Sequence, residues 1–169
     1  NNFDLTIDCT FCAREGHNVN RYEPCLTAIL KGPTDRAVTI MDGQFPSLYP
    51  WDEDAGLCSL TSAALTPLSK GVRSYGAALA MLRETPASEL LGRSGAMLEA
   101  MAGFYPRIRE EYEIVDYKLA VRAMPLSGAD ARLVDIVKID ERTLRIRASK
   151  LDAIFYAEDF VREHIRCMS

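Results

Sequence analysis

The chain has 169 residues, 48% of them hydrophobic and 26% charged, with a formal net charge of −4. This acidic balance argues against a nucleic-acid partner, which needs a basic surplus to displace counterions from phosphates. No apolar run approaches the roughly 18 residues that a membrane-spanning helix needs, and we expect no secretory signal. Five cysteines, an odd number, favour reduced thiols in a cytoplasmic protein.

The first third of the chain predicts strands. Apolar and polar residues alternate from Phe3 to Cys9, which is typical of a half-buried strand. Apolar runs bounded by turn residues predict three more strands, and Pro24 in the second indicates a sheet edge or a strand start. The four predicted strands cover residues 3–9, 22–30, 37–41 and 57–61.

The period changes near residue 72. Tyr75, Ala78, Leu79 and Leu82 follow helical spacing, and Thr85-Pro86 interrupts it. A second helix over 90–101 should end before Pro106, because the residue before a proline avoids helical geometry.

The last third returns to strands and ends in a helix. From 115 to 123 the odd-numbered residues are apolar, which predicts a strand with one buried face. Residues 133–139 and 143–147 predict a hairpin around Asp140-Glu141, with Arg145 pointing outward. Ser149 and Asp152 fit a capping box for a final helix, whose apolar stripe includes Ile154 and Phe155.

This order of strands, helices, strands and one helix predicts an α+β fold. We expect a largely antiparallel mixed sheet with helices packed on one side, in a single domain over 1–169. The chain begins at Asn1 without an initiator methionine, directly before a predicted strand. We therefore expect a fragment of a longer protein.

The stretch from Cys9 to Cys25 has the pattern C-x2-C-x4-H-x7-C, with Cys12 and His17 between. These are zinc-type ligands, although the spacing of His17 and Cys25 is unusual for a structural zinc site. The alternative is that Cys9 and Cys25 are small core residues of two strands. We favour the interpretation that Cys9 and Cys25 are core thiols, and we assign no metal ligand. A zinc site stays a testable alternative.

Motifs that would assign a reaction directly are absent. The ten glycines form neither a G-x-G-x-x-G fingerprint nor a P-loop, and no nucleophile elbow is present. No catalytic residue is assigned.

Several segments nevertheless resemble one family. FDLTIDCT at 3–10, YEPCL at 22–26, TIMDGQFPSLYP at 39–50, LCSLT at 57–61 and SKLDAIF at 149–155 carry the resemblance. Together they resemble FAD-dependent oxidoreductases of the D-amino-acid-oxidase type, and more narrowly a bacterial branch of them.

The resemblance implies the substrate-binding half of such an enzyme together with its carboxy-terminal flavin-facing segment. The N-terminal FAD-binding half would be missing, so FAD should not bind this fragment alone. The residues implied to face FAD are Thr10, Ser149, Lys150 and Leu151. Thr10 lies where the family has a glycine-containing turn, and this chain lacks the glycine.

The resemblance also implies a small-molecule substrate, an amine or a hydroxy compound. Tyr22, Tyr49 and Ser59 are the expected substrate-facing residues, and Arg122 is a candidate clamp for a substrate carboxylate. The alternative function is a non-catalytic α+β module that binds a small ligand or a partner.

Overall fold

A computed structural model describes residues 4–10, 20–41, 43, 45–125, 135–147 and 153–168. The strands are β1 (Thr6–Asp8), β2 (Asn20–Lys31), β3 (Val38–Thr39), β4 (Pro46–Asp52), β5 (Leu57–Ser62), β6 (Glu113–Pro125), β7 (Asp135–Asp140) and β8 (Thr143–Arg147). The helices are α1 (Tyr75–Glu84), α2 (Ala87–Ala102), α3 (Ile108–Glu111) and α4 (Ala153–Met168). The fold is α+β, as predicted.

The chain clusters into two compact units. One comprises Arg21–Arg122 and the other comprises Asn1–Asn20 with Ala123–Ser169. The prediction of a single domain over 1–169 stays a prediction.

The Arg21–Arg122 unit is built on a five-stranded sheet with the order β3-β4-β5-β2-β6. Its central pairs are antiparallel: Leu48 lies opposite Leu60, and Ala28 also lies opposite Leu60 from the other side. The inward positions of β5 alternate with half-buried ones, as expected for a strand with one face on a core. The antiparallel prediction is therefore confirmed for this sheet.

Helices α1 and α2 have identifiable ends. The Ser74 hydroxyl accepts a hydrogen bond from the Ala77 N–H at 3.1 Å and caps α1. Thr85 ends α1 in an extended conformation before Pro86, the N-cap of α2. The interruption between α1 and α2 at Thr85-Pro86 agrees with the sequence prediction.

The core of this unit lies between α2 and the sheet. Leu26, Leu30, Leu48 and Leu60 supply the sheet side and are fully buried. Helix α2 supplies Leu90, Met97 and Met101, and residues near α3 close one end with Ile108 and Tyr112. Burial of large aliphatic side chains stabilises by about 1.5–3 kcal/mol each, so this layer holds the unit together.

The second unit contains a three-stranded sheet with the order β1-β8-β7, and helix α4. The β7–β8 hairpin is antiparallel, as predicted. Strands β1 and β8 pair in parallel, with Asp8 opposite Arg145.

Three expectations are corrected. Pro24 does not mark a sheet edge, because β2 lies between β5 and β6. Near Pro24 the neighbour of β2 is the segment 66–72, whose Leu68 N–H binds the Pro24 carbonyl at 2.8 Å. The β2–β5 ladder begins only at Ala28, so the missing proline N–H does not interrupt it.

The other two concern exposure. The apolar face of β6 is only partly buried: Ala123 is buried and Tyr117 packs against the core, whereas Val115 is 49% and Leu119 36% exposed. On α4, Ile154 and Phe155 are likewise 65% and 68% exposed. Periodicity predicts which residues share a face and does not reveal whether anything covers it.

Candidate functional site

Two of the four predicted substrate residues lie side by side. Tyr49 on β4 is directly opposite Ser59 on β5, and the Ser59 hydroxyl donates to the Tyr49 carbonyl at 3.4 Å. Their neighbours Leu48 and Leu60 belong to the core, so Tyr49 and Ser59 lie on the opposite face of the sheet. The Tyr49 hydroxyl is hydrogen-bonded to Thr39. Tyr49 and Ser59 are thus neighbours on the sheet face opposite the core, where Tyr49 is 44% exposed.

Tyr22 lies elsewhere, in a buried position. Its backbone forms two hydrogen bonds with Val72, and its ring packs edge-on against Tyr75 at 5.9 Å between centroids. Ser59 pairs with Ile29, seven residues further along β2, which corresponds to about 23 Å of strand. The structure therefore does not bring Tyr22 to the Tyr49–Ser59 pair.

Arg122 already has a carboxylate partner within the chain. Its guanidinium donates to Oε2 of Glu23 through Nη2 at 2.6 Å and Nε at 3.2 Å. The Glu23 side chain is only 3% exposed, and Arg21 Nε lies 3.7 Å from its other oxygen. A buried carboxylate requires such partners, so Arg122 has a structural role that a substrate clamp would have to share.

Thr10 also has partners within the chain. Its N–H and its hydroxyl both donate to Asp8 Oδ1, at 3.0 and 2.6 Å. Arg145 Nε donates to the other oxygen of Asp8 at 2.9 Å. Burial raises the pKa of Asp8, but the hydrogen bonds from Thr10 and Arg145 and the Arg145 charge outweigh burial and lower that pKa to about 2.

Asp8 thus holds together the turn after β1 and the adjacent strand β8. Arg145, predicted to point outward, is instead largely buried against Asp8, because its cross-strand neighbour in the parallel pair is an acid. Asp8 and Thr10 form an Asx-type turn directly after β1. This turn takes the place of the glycine-containing turn that the resemblance implies.

Parallel pairing has a further geometric consequence. The carboxyl ends of β1 and β8 lie at the same edge of the sheet, the edge at which open parallel sheets bind ligands. Thr10 follows β1, and residues 148–152 follow β8 and precede α4. Ser149, Lys150 and Leu151 fall in that segment, outside the described residues.

The zinc alternative is only partly covered by the described residues. Cys12 and His17 lie outside them, Cys9 is exposed and Cys25 is buried. Cys9 was expected on an apolar strand face, but β1 ends at Asp8 and leaves it outside the strand. Burial raises the pKa of the Cys25 thiol, which suits the predicted inert core residue. Among the described residues no group of three or more Cys, His, Asp or Glu is placed to hold a metal ion.

A second polar cluster lies near α3. Tyr105 accepts a hydrogen bond from Arg36 at 2.9 Å and donates to Glu111, which also pairs with Arg107. The Tyr112 hydroxyl donates to the Pro33 carbonyl at 2.8 Å, and burial raises the pKa of Tyr112 to about 12. An open groove of about 590 Å³ runs beside this cluster, and its lining includes Lys31, Leu98, Arg109 and Glu113. None of the predicted substrate residues lines this groove.

Sequence reasoning missed Asp8, Glu23 and Arg145. Each is a charged residue within a strand whose neighbours are largely apolar. A buried charge requires a partner of opposite sign. A charged residue between apolar neighbours in a predicted strand could therefore have indicated a buried ion pair. It could not have indicated which residue is the partner.

Comparison of the chain with protein-family models, curated proteins and solved structures found no match. Within the part of the chain that the structure describes, no helix has the length and apolar content to cross a membrane.

Proposed function

We propose that this chain is the substrate-binding portion of an FAD-dependent oxidoreductase that acts on a small amine or hydroxy compound. The observation that carries the proposal is the parallel pairing of β1 with β8. It joins the beginning and the end of the chain in one small sheet. The two segments assigned to FAD by resemblance, at Thr10 and at 149–151, thereby follow adjacent strand ends.

The architecture of this second unit supports the same proposal. All-parallel sheets have both faces covered by helices, and parallel strand pairs in mixed sheets such as this one are typical of αβ proteins. Here the described part of the sheet has three strands and one helix, α4. A further αβ portion, such as the proposed N-terminal FAD-binding half, would complete it.

The residues present fit FAD in a limited way. Both donor groups of Thr10 are used by Asp8, so Thr10 would serve the site by shaping the turn and not by donating to FAD. Lys150 would supply positive charge beside the N-terminal end of α4, where the helix dipole also favours negative charge. Bound FAD would supply the acceptor for a hydride from a carbon that bears nitrogen or oxygen.

The substrate would meet the protein at Tyr49 and Ser59. Both hydroxyls lie on the face opposite the hydrophobic core, and Tyr49 is 44% exposed. They can orient a polar substrate by hydrogen bonds, while Arg122 would contribute only if its pair with Glu23 opened. No side chain is assigned to proton transfer.

The experiment that tests this proposal is a translation of the coding sequence that precedes Asn1. A strand followed by G-x-G-x-x-G, opening a helix, is the expected result. A start codon immediately before Asn1 would contradict it. Incubation of the present chain with FAD is a second test. A tight, yellow, stoichiometric complex would show that FAD binding does not require the N-terminal FAD-binding half.

The alternative is a non-catalytic binding module. It is favoured by the internal partners of Thr10 and Arg122, and by exposed aromatic side chains such as Trp51, which is 56% exposed. This alternative predicts a start codon immediately before Asn1 and a purified protein that binds no flavin. Elemental analysis of the purified protein tests the zinc alternative, and zinc below about a tenth of an equivalent would eliminate it.

A further inference from the structure

Strand β6 (Glu113–Pro125) forms one edge of the five-stranded sheet and is 13 residues long. On its apolar face Val115 and Leu119 are exposed, and on its polar face Asp116 and Lys118 are about half exposed. Parts of both faces are therefore accessible around Tyr117, which itself packs against the core. Among the described residues, no strand pairs with the outer edge of β6.

Soluble proteins usually block such an edge. Short strands, prolines, bulges and charged side chains, lysine above all, are the common devices, because an open edge pairs with other chains. From residue 113 to 124, β6 contains neither proline nor glycine. Asp116 and Lys118, both on β6, form an ion pair of 2.8 Å between Lys118 Nζ and Asp116 Oδ2. Charges are thus the device that protects this edge, and a partner strand would have to match them.

We propose that β6 pairs antiparallel with β6 of a second copy of this chain, with Tyr117 at the centre of the pairing. Residues directly opposite each other in an antiparallel pair share a face of the sheet. Pairing centred on Tyr117 places Asp116 opposite Lys118 of the second copy, and Lys118 opposite its Asp116. On the other face it places two exposed large apolar residues of the strand, Val115 and Leu119, opposite each other.

Neighbouring registers are less favourable. Centring on Asp116 or on Lys118 places like charges directly opposite, which is destabilising. Centring on Leu119 places Lys118 opposite Ala120 and Asp116 opposite Arg122. Lys118 would then have no acidic residue opposite it, whereas in the Tyr117-centred register both Asp116 and Lys118 lie opposite a residue of opposite charge. Charge complementarity therefore selects the Tyr117-centred register.

Disulfide trapping tests the register. Cross-strand partners have Cα separations of about 4.5–5.5 Å, within the range that a disulfide can span. In a background with Cys9, Cys12 and Cys167 replaced by serine, Tyr117→Cys should form a disulfide-linked dimer. The matched variant Leu119→Cys should not, because its two copies would lie four residues apart. Crosslinking by Leu119→Cys and not by Tyr117→Cys would overturn the register.

Sedimentation over a range of concentrations tests the dimer itself. The unmodified chain should reach twice the 18.8 kDa mass of one copy. Asp116→Lys should weaken the dimer by about tenfold or more, and the double variant Asp116→Lys/Lys118→Asp should restore it. Circular dichroism of each variant would show that the fold is retained. A monomer at all concentrations, or an unchanged dimer in Asp116→Lys, would overturn the proposal. Neither result depends on flavin, so this proposal and the proposed function fail separately.

Discussion

Arg145 and Asp8 lie opposite each other on two parallel strands and form an ion pair of 2.9 Å. Their side chains are only 12% and 7% exposed, and 136 residues separate them in the sequence. This pair joins the beginning of the chain to its end, at the sheet edge to which the proposed flavin segments belong.

Removing one partner of this pair should destabilise the protein strongly. Arg145→Met leaves the buried Asp8 carboxylate without its cation, and the free energy of unfolding should fall by about 3 kcal/mol. Arg162→Met is the matched control, because the Arg162–Glu158 pair is a solvent-exposed helical pair and should contribute less than about 0.5 kcal/mol. Urea unfolding measures both. Equal effects would show that the Asp8–Arg145 pair is not buried as described.

Asp8 should make stability depend on pH in the acid range. Its pKa in the folded chain is about 2, below the ordinary value of 3.8. Because the folded pKa is the lower one, the stabilisation is complete above about pH 4 and is lost as the pH falls toward 2, by about 2 kcal/mol. The difference in unfolding free energy between the natural chain and Asp8→Asn should shrink over this window. A difference that stays constant from pH 5 to pH 2 would refute the assigned pKa.

Glu23 and Arg122 should be energetically coupled. A double-mutant cycle with Glu23→Gln and Arg122→Met isolates the interaction, and we expect a coupling of roughly 1–2 kcal/mol in unfolding free energy. The half-exposed position of Arg122 limits the value. Coupling near zero would mean that Arg122 is available to bind a substrate carboxylate, as the sequence analysis supposed.

Two glycine substitutions should change stability in opposite directions. A Cβ on Gly32 would collide with the Tyr112 ring and lie 2.6 Å from the Glu111 carbonyl oxygen. Gly32→Ala should therefore lower the unfolding free energy by about 1–3 kcal/mol. Gly92 lies in the interior of α2, and a Cβ there would contact nothing within 4 Å. Because alanine favours the helix more than glycine does, Gly92→Ala should raise the unfolding free energy by about 0.5–1 kcal/mol. Thermal unfolding of the two variants measures both changes in stability. A Gly32→Ala variant more stable than the natural chain would contradict the described packing around Tyr112.

Local patterns predicted most of the elements, because their physics is local. The spacing of Tyr75, Ala78, Leu79 and Leu82 predicted α1, and Thr85-Pro86 predicted its end. Alternation predicted β6 but not its exposure, which depends on which elements pack against it. The β1–β8 pairing could not be predicted, since nothing local to Asp8 indicates Arg145.

The predicted site was partly assembled by the fold. Tyr49 and Ser59 are neighbours because β4 and β5 are consecutive in the chain and pair across a short turn. Tyr22 and Arg122 lie on strands whose register depends on long-range packing, and both have partners that the sequence did not reveal. Hydroxyl and guanidinium groups can be recognised in a sequence, whereas their partners cannot.

We propose that this chain completes a flavoprotein. The most direct test is the visible absorption spectrum of the protein expressed together with the coding sequence that precedes Asn1, purified and compared with its protein content. We expect flavin absorption corresponding to about one FAD per chain, bleached under anaerobic conditions by a small amine or hydroxy compound. A colourless, folded protein that takes up no added FAD would contradict it.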